Sequence, residues 1–150
     1  MIEKFELKNG GALTISSESD IPTLSKQTNK GDLFCLLSAK RKYEENEADY
    51  ALVKSIIQMG AKYFCTFGKH CSANHDFIDP LLVECGDLEV MTTWHEDDAD
   101  EDIAYFFINT VLLDFSPSGY GYKWLAVLDS SSEQDRNIKN LLLRNTIDNE

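Results

Sequence analysis

The sequence predicts a three-layer α/β domain, with a mainly parallel sheet of about four strands, flanking helices and an N-terminal β-hairpin. From residue 32 onward, short apolar segments alternate with segments of helical spacing, which is the order expected of βα units. The apolar segments show little polar alternation, as expected for strands buried on both faces. The length of 150 residues corresponds to a single domain, and no linker or internal repeat divides it.

The first sixteen residues predict the hairpin. Asn9-Gly10 lies between two apolar segments, and this pair favours a tight turn because both of its residues accept positive φ. Residues 17–31 are rich in polar residues and contain Pro22, so we expect a loop there. The βα units then span residues 32–143, and the polar tail 144–150 is expected to be frayed.

Four strand–helix pairs are expected within these units. The strands are indicated by nearly continuous apolar segments at residues 33–39, 62–67, 88–94 and 122–128. The helices are indicated by helical spacing, by cap residues and by terminal glycines. They are expected over residues 44–59, from Asp79-Pro80 to Gly86, from the acidic residues near 100 to Val111, and from a capping box of Ser130 and Glu133 to Leu142.

The negative charge is concentrated in one segment. The formal net charge is −12, yet residues 71–135 alone hold fifteen acidic residues against one basic residue, Lys123. Such a field repels the phosphate backbone, so we expect no direct nucleic-acid binding. It would attract a basic protein and raise the rate of encounter, although an acidic excess can also serve solubility alone.

The sequence predicts a cytoplasmic protein that does not contact a membrane. No apolar segment is long enough to span a bilayer, and charged residues interrupt the N-terminus where a signal peptide would have its apolar core. The cysteines have no Cys-x-x-Cys spacing and are expected to be reduced: Cys35, Cys65, Cys71 and Cys85. No phosphate-binding or dinucleotide-binding glycine motif is present, so no cofactor is expected.

All three histidines are expected near one edge of the sheet. The carboxyl ends of parallel strands meet at the edge where α/β domains bind ligands. An alternative function is therefore a small hydrolase-like enzyme that uses His70, Cys71, His95 and Asp97. An alternative metal site would consist of Cys71, His75 and His95. Loops at such edges are commonly polar without being catalytic, and no known catalytic spacing accompanies these residues, so our main expectation is that the protein is not an enzyme.

The most distinctive segment is Thr92-Thr93-Trp94-His95 with the acidic residues that follow it. Strand packing and helix capping account for Trp94 and the first acidic residues, but one or two carboxylates suffice at a helix N-terminus. Together with the Phe64-Cys65 strand and its His/Cys loop, this segment resembles an uncharacterised bacterial α/β family over residues 33–130. That resemblance implies a fold but no activity. In size and acidity the chain is also similar to the immunity proteins of contact-dependent inhibition toxin systems.

We therefore expect an acidic binding protein, an immunity protein that neutralises a basic toxin domain such as a nuclease by occluding it. The carboxylates would pair with lysine and arginine of the partner, and aromatic residues would anchor the contact. The expected partner-binding residues are Trp94, Glu96, Asp97, Asp98, Asp100, Glu101, Asp102 and Tyr120.

Overall fold

The structure is a computed structural model that describes residues 2–147. It confirms the α/β class. The strands and helices follow one another in the order β1 (Glu3–Glu6), β2 (Ala12–Ser16), α1 (Ile21–Gln27), β3 (Leu33–Ser38), α2 (Glu47–Gln58), β4 (Ala61–Phe67), α3 (Cys71–Glu84), β5 (Met91–His95), α4 (Asp100–Ile108), β6 (Lys123–Val127) and α5 (Glu133–Leu143). A 3-10 turn at Glu18–Asp20 precedes α1, and another at Thr110–Asp114 follows α4.

The strands form one six-stranded sheet in the order β1-β2-β6-β3-β4-β5. Only β1 and β2 pair antiparallel, and every other neighbouring pair is parallel. The expected count of about four strands with a separate hairpin is therefore wrong. The hairpin joins the sheet because β2 pairs with β6 from Ala12 to Ser16, which buries Leu13 and Ile15 in the core.

Helices cover both faces of the sheet and divide the core into two parts. Alternate residues of β3 point to opposite faces, as the period of a strand requires. Cys35 and Leu37 pack with α1, α2 and α3, whereas Phe34 and Leu36 pack with α4 and α5. The first three helices therefore share one face, and the last two share the other.

Two helices differ from their expected positions. The predicted loop at residues 17–31 contains α1, a short helix with Pro22 in its first turn and with Ile21 and Leu24 buried. Helix α3 begins at Cys71, so Pro80 lies inside it and does not begin it. Proline lacks the N–H that would donate to the carbonyl four residues earlier in the helix. Because Pro80 is exposed, that carbonyl lies on the solvent side of α3, where water can donate to it.

The end of the chain is also more ordered than expected. Helix α5 is capped by Ser132, whose Oγ accepts from the Asp135 backbone N–H, two residues later than the predicted capping box. Thr146 forms an antiparallel bridge with Leu7, so the part of the predicted frayed tail that is described pairs with the sheet. The remainder of that tail, residues 148–150, lies outside the described residues. None of the helices in the described range combines the length and the apolar character needed to cross a membrane.

Candidate functional site

The carboxyl ends of the parallel strands meet at one edge, which contains two topological switch points. The chain leaves β3 and β4 toward the face of α1, α2 and α3, but it leaves β5 and β6 toward the opposite face. Crevices open where neighbouring strands send the chain to opposite faces. One such switch point lies between β4 and β5. The other lies around β6, between β2 and β3, and holds a cavity. We call them the β4–β5 crevice and the β6 crevice.

His95 ends β5 at the β4–β5 crevice and is fully engaged in local structure. Its Nδ1 lies 2.7 Å from Asp98 Oδ2, and its Nε2 lies 3.1 Å from Thr93 Oγ1. Its ring centroid is 4.8 Å from that of Phe106 in α4, and the residue is only 8% exposed. Because both ring nitrogens have partners and the ring is buried, His95 holds the turn between β5 and α4 and leaves no nitrogen open to a substrate.

The four residues of the enzyme alternative do not form a connected set. Cys71 is buried, and burial raises the pKa of its thiol, which disfavours the nucleophilic thiolate. His70 is the N-cap residue of α3, and its side chain makes no capping hydrogen bond. Asp97 is exposed. Among the described residues, no hydrogen bond or ion pair joins the side chains of any two of His70, Cys71, His95 and Asp97; of the other three residues, the Cys71 thiol reaches only the backbone of His95.

The sheet separates His95 from the other two residues of the metal alternative, Cys71 and His75, which lie one turn apart on α3. Side chains alternate along a strand, so the neighbours Trp94 and His95 face opposite sides of it. His95 packs on Phe106 of α4, whereas the ring of Trp94 lies 4.5 Å from that of His75 in α3. His75 and His95 therefore cannot share an ion with Cys71. Within the part of the chain that the structure describes, no three His, Cys, Asp or Glu side chains form a group that could hold a metal.

The acidic segment, residues 96–102, divides into two groups. Asp98 binds His95, and the carboxylate of Asp100 accepts hydrogen bonds from Gln134 and Asn137 at the start of α5. These two carboxylates fix the turn and join α4 to α5. The other four are exposed and make no hydrogen bond or ion pair with any described residue; we call this group the acidic surface, and it consists of Glu96, Asp97, Glu101 and Asp102.

The structure places the two expected aromatic anchors at different edges of the sheet. Trp94 is 48% exposed and lies in β5, two residues before Glu96. Tyr120 is 84% exposed but lies before β6, in a loop in which the Gly119 backbone N–H donates to the Asn9 carbonyl of the hairpin turn. That loop is at the amino edge of the parallel strands, opposite the acidic surface. Tyr120 is therefore not brought together with the other expected binding residues.

The β6 crevice has a volume of about 390 Å³ and is bordered by charged residues that neutralise one another. Arg41 donates to Glu18 at 2.8 Å and to Asp49 at 2.6 Å. This hydrogen bond from Arg41 is the main reason that the pKa of Asp49 is lowered. Lys40 donates to the Gln134 side chain at 2.6 Å. Within residues 2–147, every ionised group on this wall has a nearby partner of opposite charge or a hydrogen bond.

Buried oxygen atoms beside the β6 crevice are less well satisfied. Ser16 ends β2, Ser38 ends β3, and Asp135 lies in the first turn of α5; all three are at least nine-tenths buried. Asp135 Oδ2 accepts from the Asp129 backbone N–H, and Asp135 Oδ1 has no hydrogen bond but lies 4.0 Å from Lys40 Nζ. The two serine Oγ atoms have no hydrogen-bond partner among the described residues.

The predicted strand at residues 33–39 implies that its end, with Ser38, lies at this edge, but the sequence does not indicate Glu18, Arg41 and Asp49 there. Those residues could be found only by knowing that β2 is a strand of the parallel sheet, because its end brings Glu18 beside the loop after β3. The alternating apolar residues of β2 are the feature of the sequence that indicates this strand.

The comparison with known families agrees with the expectation of an uncharacterised α/β family. No curated protein matches the chain. A family model described as a domain of unknown function, DUF7684, matches residues 12–144, which run from the start of β2 through α5. Since the match covers most of the sequence, the chain belongs to the DUF7684 family.

Proposed function

We propose that this protein binds a basic protein through the acidic surface. The observation that carries the proposal is the division of the acidic segment into satisfied and unsatisfied carboxylates. Asp98 and Asp100 have structural partners, but Glu96, Asp97, Glu101 and Asp102 have none among the described residues. Glu101 and Asp102 lie in the first turn of α4, where one or two carboxylates suffice, so the four together exceed what that N-terminus needs.

Charge supports this function by a simple mechanism. Carboxylates held close together repel one another, and lysine or arginine side chains of a partner would relieve that repulsion. The same field attracts a basic protein from a distance and increases the association rate, most strongly at low salt. Each exposed ion pair contributes little alone, so the contact also needs an anchor that buries apolar area.

Trp94 is suited to be that anchor. It is half-exposed and lies just before Glu96, and its ring already rests against His75. Tryptophan is enriched among the residues that contribute most to binding, and a ring that is already held loses little conformational freedom when a partner covers it.

The finer form of the proposal is an immunity protein that acts in the cytoplasm and occludes a basic toxin domain such as a nuclease. A nuclease domain needs a positive surface to bind the phosphate backbone, and an acidic surface competes for that same charge. The enzyme alternative has weaker support, because Cys71 is buried and both nitrogens of His95 are occupied.

The test uses a variant that removes the charge of the acidic surface while keeping side-chain shape, E96Q/D97N/E101Q/D102N. A matched control, E44Q/E45Q/E47Q/E89Q, removes four exposed carboxylates from other parts of the chain. Basic proteins encoded beside this gene are purified and titrated by calorimetry against the wild type and both variants, at about 50 mM and about 500 mM salt.

We expect one of these basic proteins to bind the wild type and the control, and to bind more weakly at the higher salt. The acidic-surface variant should lose about tenfold or more in affinity, as four weak ion pairs together predict. Equal binding by the two variants, or no binding by any basic neighbour, would contradict the proposal.

A further inference from the structure

The two edge strands of the sheet, β1 and β5, differ in how their unpaired outer backbone groups are protected. An edge strand leaves half of its N–H and C=O groups unpaired, and proteins usually protect such edges with charge, proline or a covering segment. Three of the four residues of β1 are charged. The end of the chain covers part of the same edge: the Ile147 backbone N–H donates to Glu6, and the Lys8 backbone N–H donates to Asn145.

The edge of β5 has neither protection. Its sequence, Met-Thr-Thr-Trp-His, contains no proline, lysine or carboxylate. Its paired side is occupied by β4, from Tyr63↔Met91 to Phe67↔His95. No backbone hydrogen bond from any other part of residues 2–147 reaches its outer side. Met91 and Trp94 are also half-exposed or more along this strand.

Charge decides what can pair with this edge. Glu96 and Asp97 follow β5 directly, and Glu89 lies shortly before it. Antiparallel pairing of β5 with the same strand of a second copy, centred on Thr93, would therefore set Asp97 of each copy opposite Glu89 of the other. Like charges in that arrangement repel, which protects the edge from self-association. An extended segment that carries lysine or arginine meets no such repulsion and gains attraction.

We propose that β5 accepts an extended basic segment of the partner as a seventh strand. Main-chain hydrogen bonds to the outer side of β5 hold the segment, and its lysine or arginine side chains pair with Glu96 and Asp97. Every second side chain of the added strand lies on the same side of the sheet as Trp94. These side chains cover the Trp94 ring. This inference rests on the proposed function, because the charge that selects the segment belongs to the acidic surface.

The experiment uses the full chain and a defined probe, an eight-residue peptide of alternating lysine and valine with blocked ends. Two further peptides carry N-methyl groups on every second residue, one in each of the two possible frames. N-methylation removes the amide donors on one side of a strand and leaves the charge unchanged. Binding is followed by NMR of the isotopically labelled protein and by amide hydrogen exchange.

We expect the unmodified peptide to perturb the amides of Met91–His95 and to slow exchange of those on the outer side of β5, with no change in Glu3–Glu6. One of the two N-methylated peptides should bind about tenfold more weakly, as the loss of one or two net main-chain hydrogen bonds predicts. The E96Q/D97N/E101Q/D102N variant should also bind the unmodified peptide more weakly.

The outcomes separate this inference from the proposed function. If both N-methylated peptides bind as the parent does while the acidic-surface variant binds weakly, charge pairing stands and strand addition is overturned. If N-methylation weakens binding but the acidic-surface variant binds normally, the edge is used without the charge, which contradicts the proposed function. Absence of binding, or perturbation of β1 in place of β5, also overturns strand addition.

Discussion

The β4–β5 crevice and the β6 crevice lie at the same edge of the sheet, but they differ in whether their buried polar atoms have hydrogen-bond partners. In the first, the only buried histidine of the described chain, His95, has a partner for each ring nitrogen. In the second, Ser16, Ser38 and Asp135 each bury an oxygen atom without a hydrogen-bond partner among the described residues. His95, which suggests chemistry in the sequence, is thus a residue whose hydrogen-bonding groups the fold already occupies.

This difference shows where polar groups stabilise the fold and where they cost stability. A buried hydrogen bond contributes a modest net free energy, but a buried polar atom without a partner loses its hydration and gains nothing in return. Residues of the β4–β5 crevice should therefore be costly to remove, and unpartnered oxygens at the β6 crevice should be costly to keep.

The largest effect is expected at His95. Replacing His95 with alanine removes two hydrogen bonds and the contact with Phe106, and we expect a loss of about 3 kcal/mol in the free energy of unfolding, measured by urea denaturation. The control is His75→Ala, on the opposite face, where among the described residues the ring hydrogen-bonds only to the exposed Asp76 carboxylate and about 1 kcal/mol should be lost. Comparable losses for the two variants would show that His95 is not specially required.

A smaller effect is expected at Asp49, on the charged wall of the β6 crevice. The carboxylate is buried and accepts hydrogen bonds from Arg41, from the Glu44 backbone N–H and from Asn46. Replacing Asp49 with asparagine should therefore cost about 2 kcal/mol at pH 7, the range for hydrogen bonds to a charged group. A cost below the error of the denaturation measurement would contradict this account of the wall.

The cost at Asp49 should also depend on pH in a defined direction. The hydrogen bond from Arg41 is the largest of the effects that lower the pKa of Asp49 below its usual value of 3.8. A carboxylate with a lowered folded-state pKa contributes stability above its unfolded pKa and loses that contribution as the pH falls through the folded pKa. The difference between the wild type and D49N should therefore be constant at neutral pH and should shrink below pH 3.8. Denaturation curves collected from pH 7 to pH 3 would measure it.

The sequence allowed much of the fold to be predicted, because strands that are buried on both faces of the sheet appear as continuous apolar segments. All six residues of Leu33–Ser38 are buried, and the helical spacing of Glu47–Gln58 matches its buried side. The prediction was wrong where the local sequence favoured one structure and tertiary packing favoured another. Helix α1 has only two buried residues among polar ones, so Ile21–Gln27 was predicted to be a loop. Pro80 favours a helix start in isolation, but the packing of α3 against β5 extends the helix nine residues earlier, to Cys71.

The strand assignments also predicted part of the candidate site, namely which residues lie at the carboxyl ends of the strands. Parallel strands fix which residues reach one edge, so the positions of Ser38, His70 and His95 followed from the strand assignments. The period of a strand also implies that Trp94 and His95 face opposite sides, but the sequence does not say which helix packs on each side. Only the fold shows that His75 joins Trp94 and that Asp98 and Asp100 are already engaged. Whether a charged side chain is free or bound depends on contacts distant in sequence.

The smallest effect, and the one that separates the two crevices most directly, is expected at Ser38. Its hydroxyl is buried at the end of β3 without a partner in the described structure, so replacing it with alanine removes a desolvated oxygen and breaks no hydrogen bond. We expect Ser38→Ala to raise the free energy of unfolding by about 1 kcal/mol. The matched control is Ser132→Ala at the same edge, where the hydroxyl caps α5 and its loss should cost about 1 kcal/mol. Two identical substitutions then change stability in opposite directions, as chemical denaturation would show. If Ser38→Ala proves destabilising, its hydroxyl has a bonded partner in solution, and the contrast between the two crevices does not hold there.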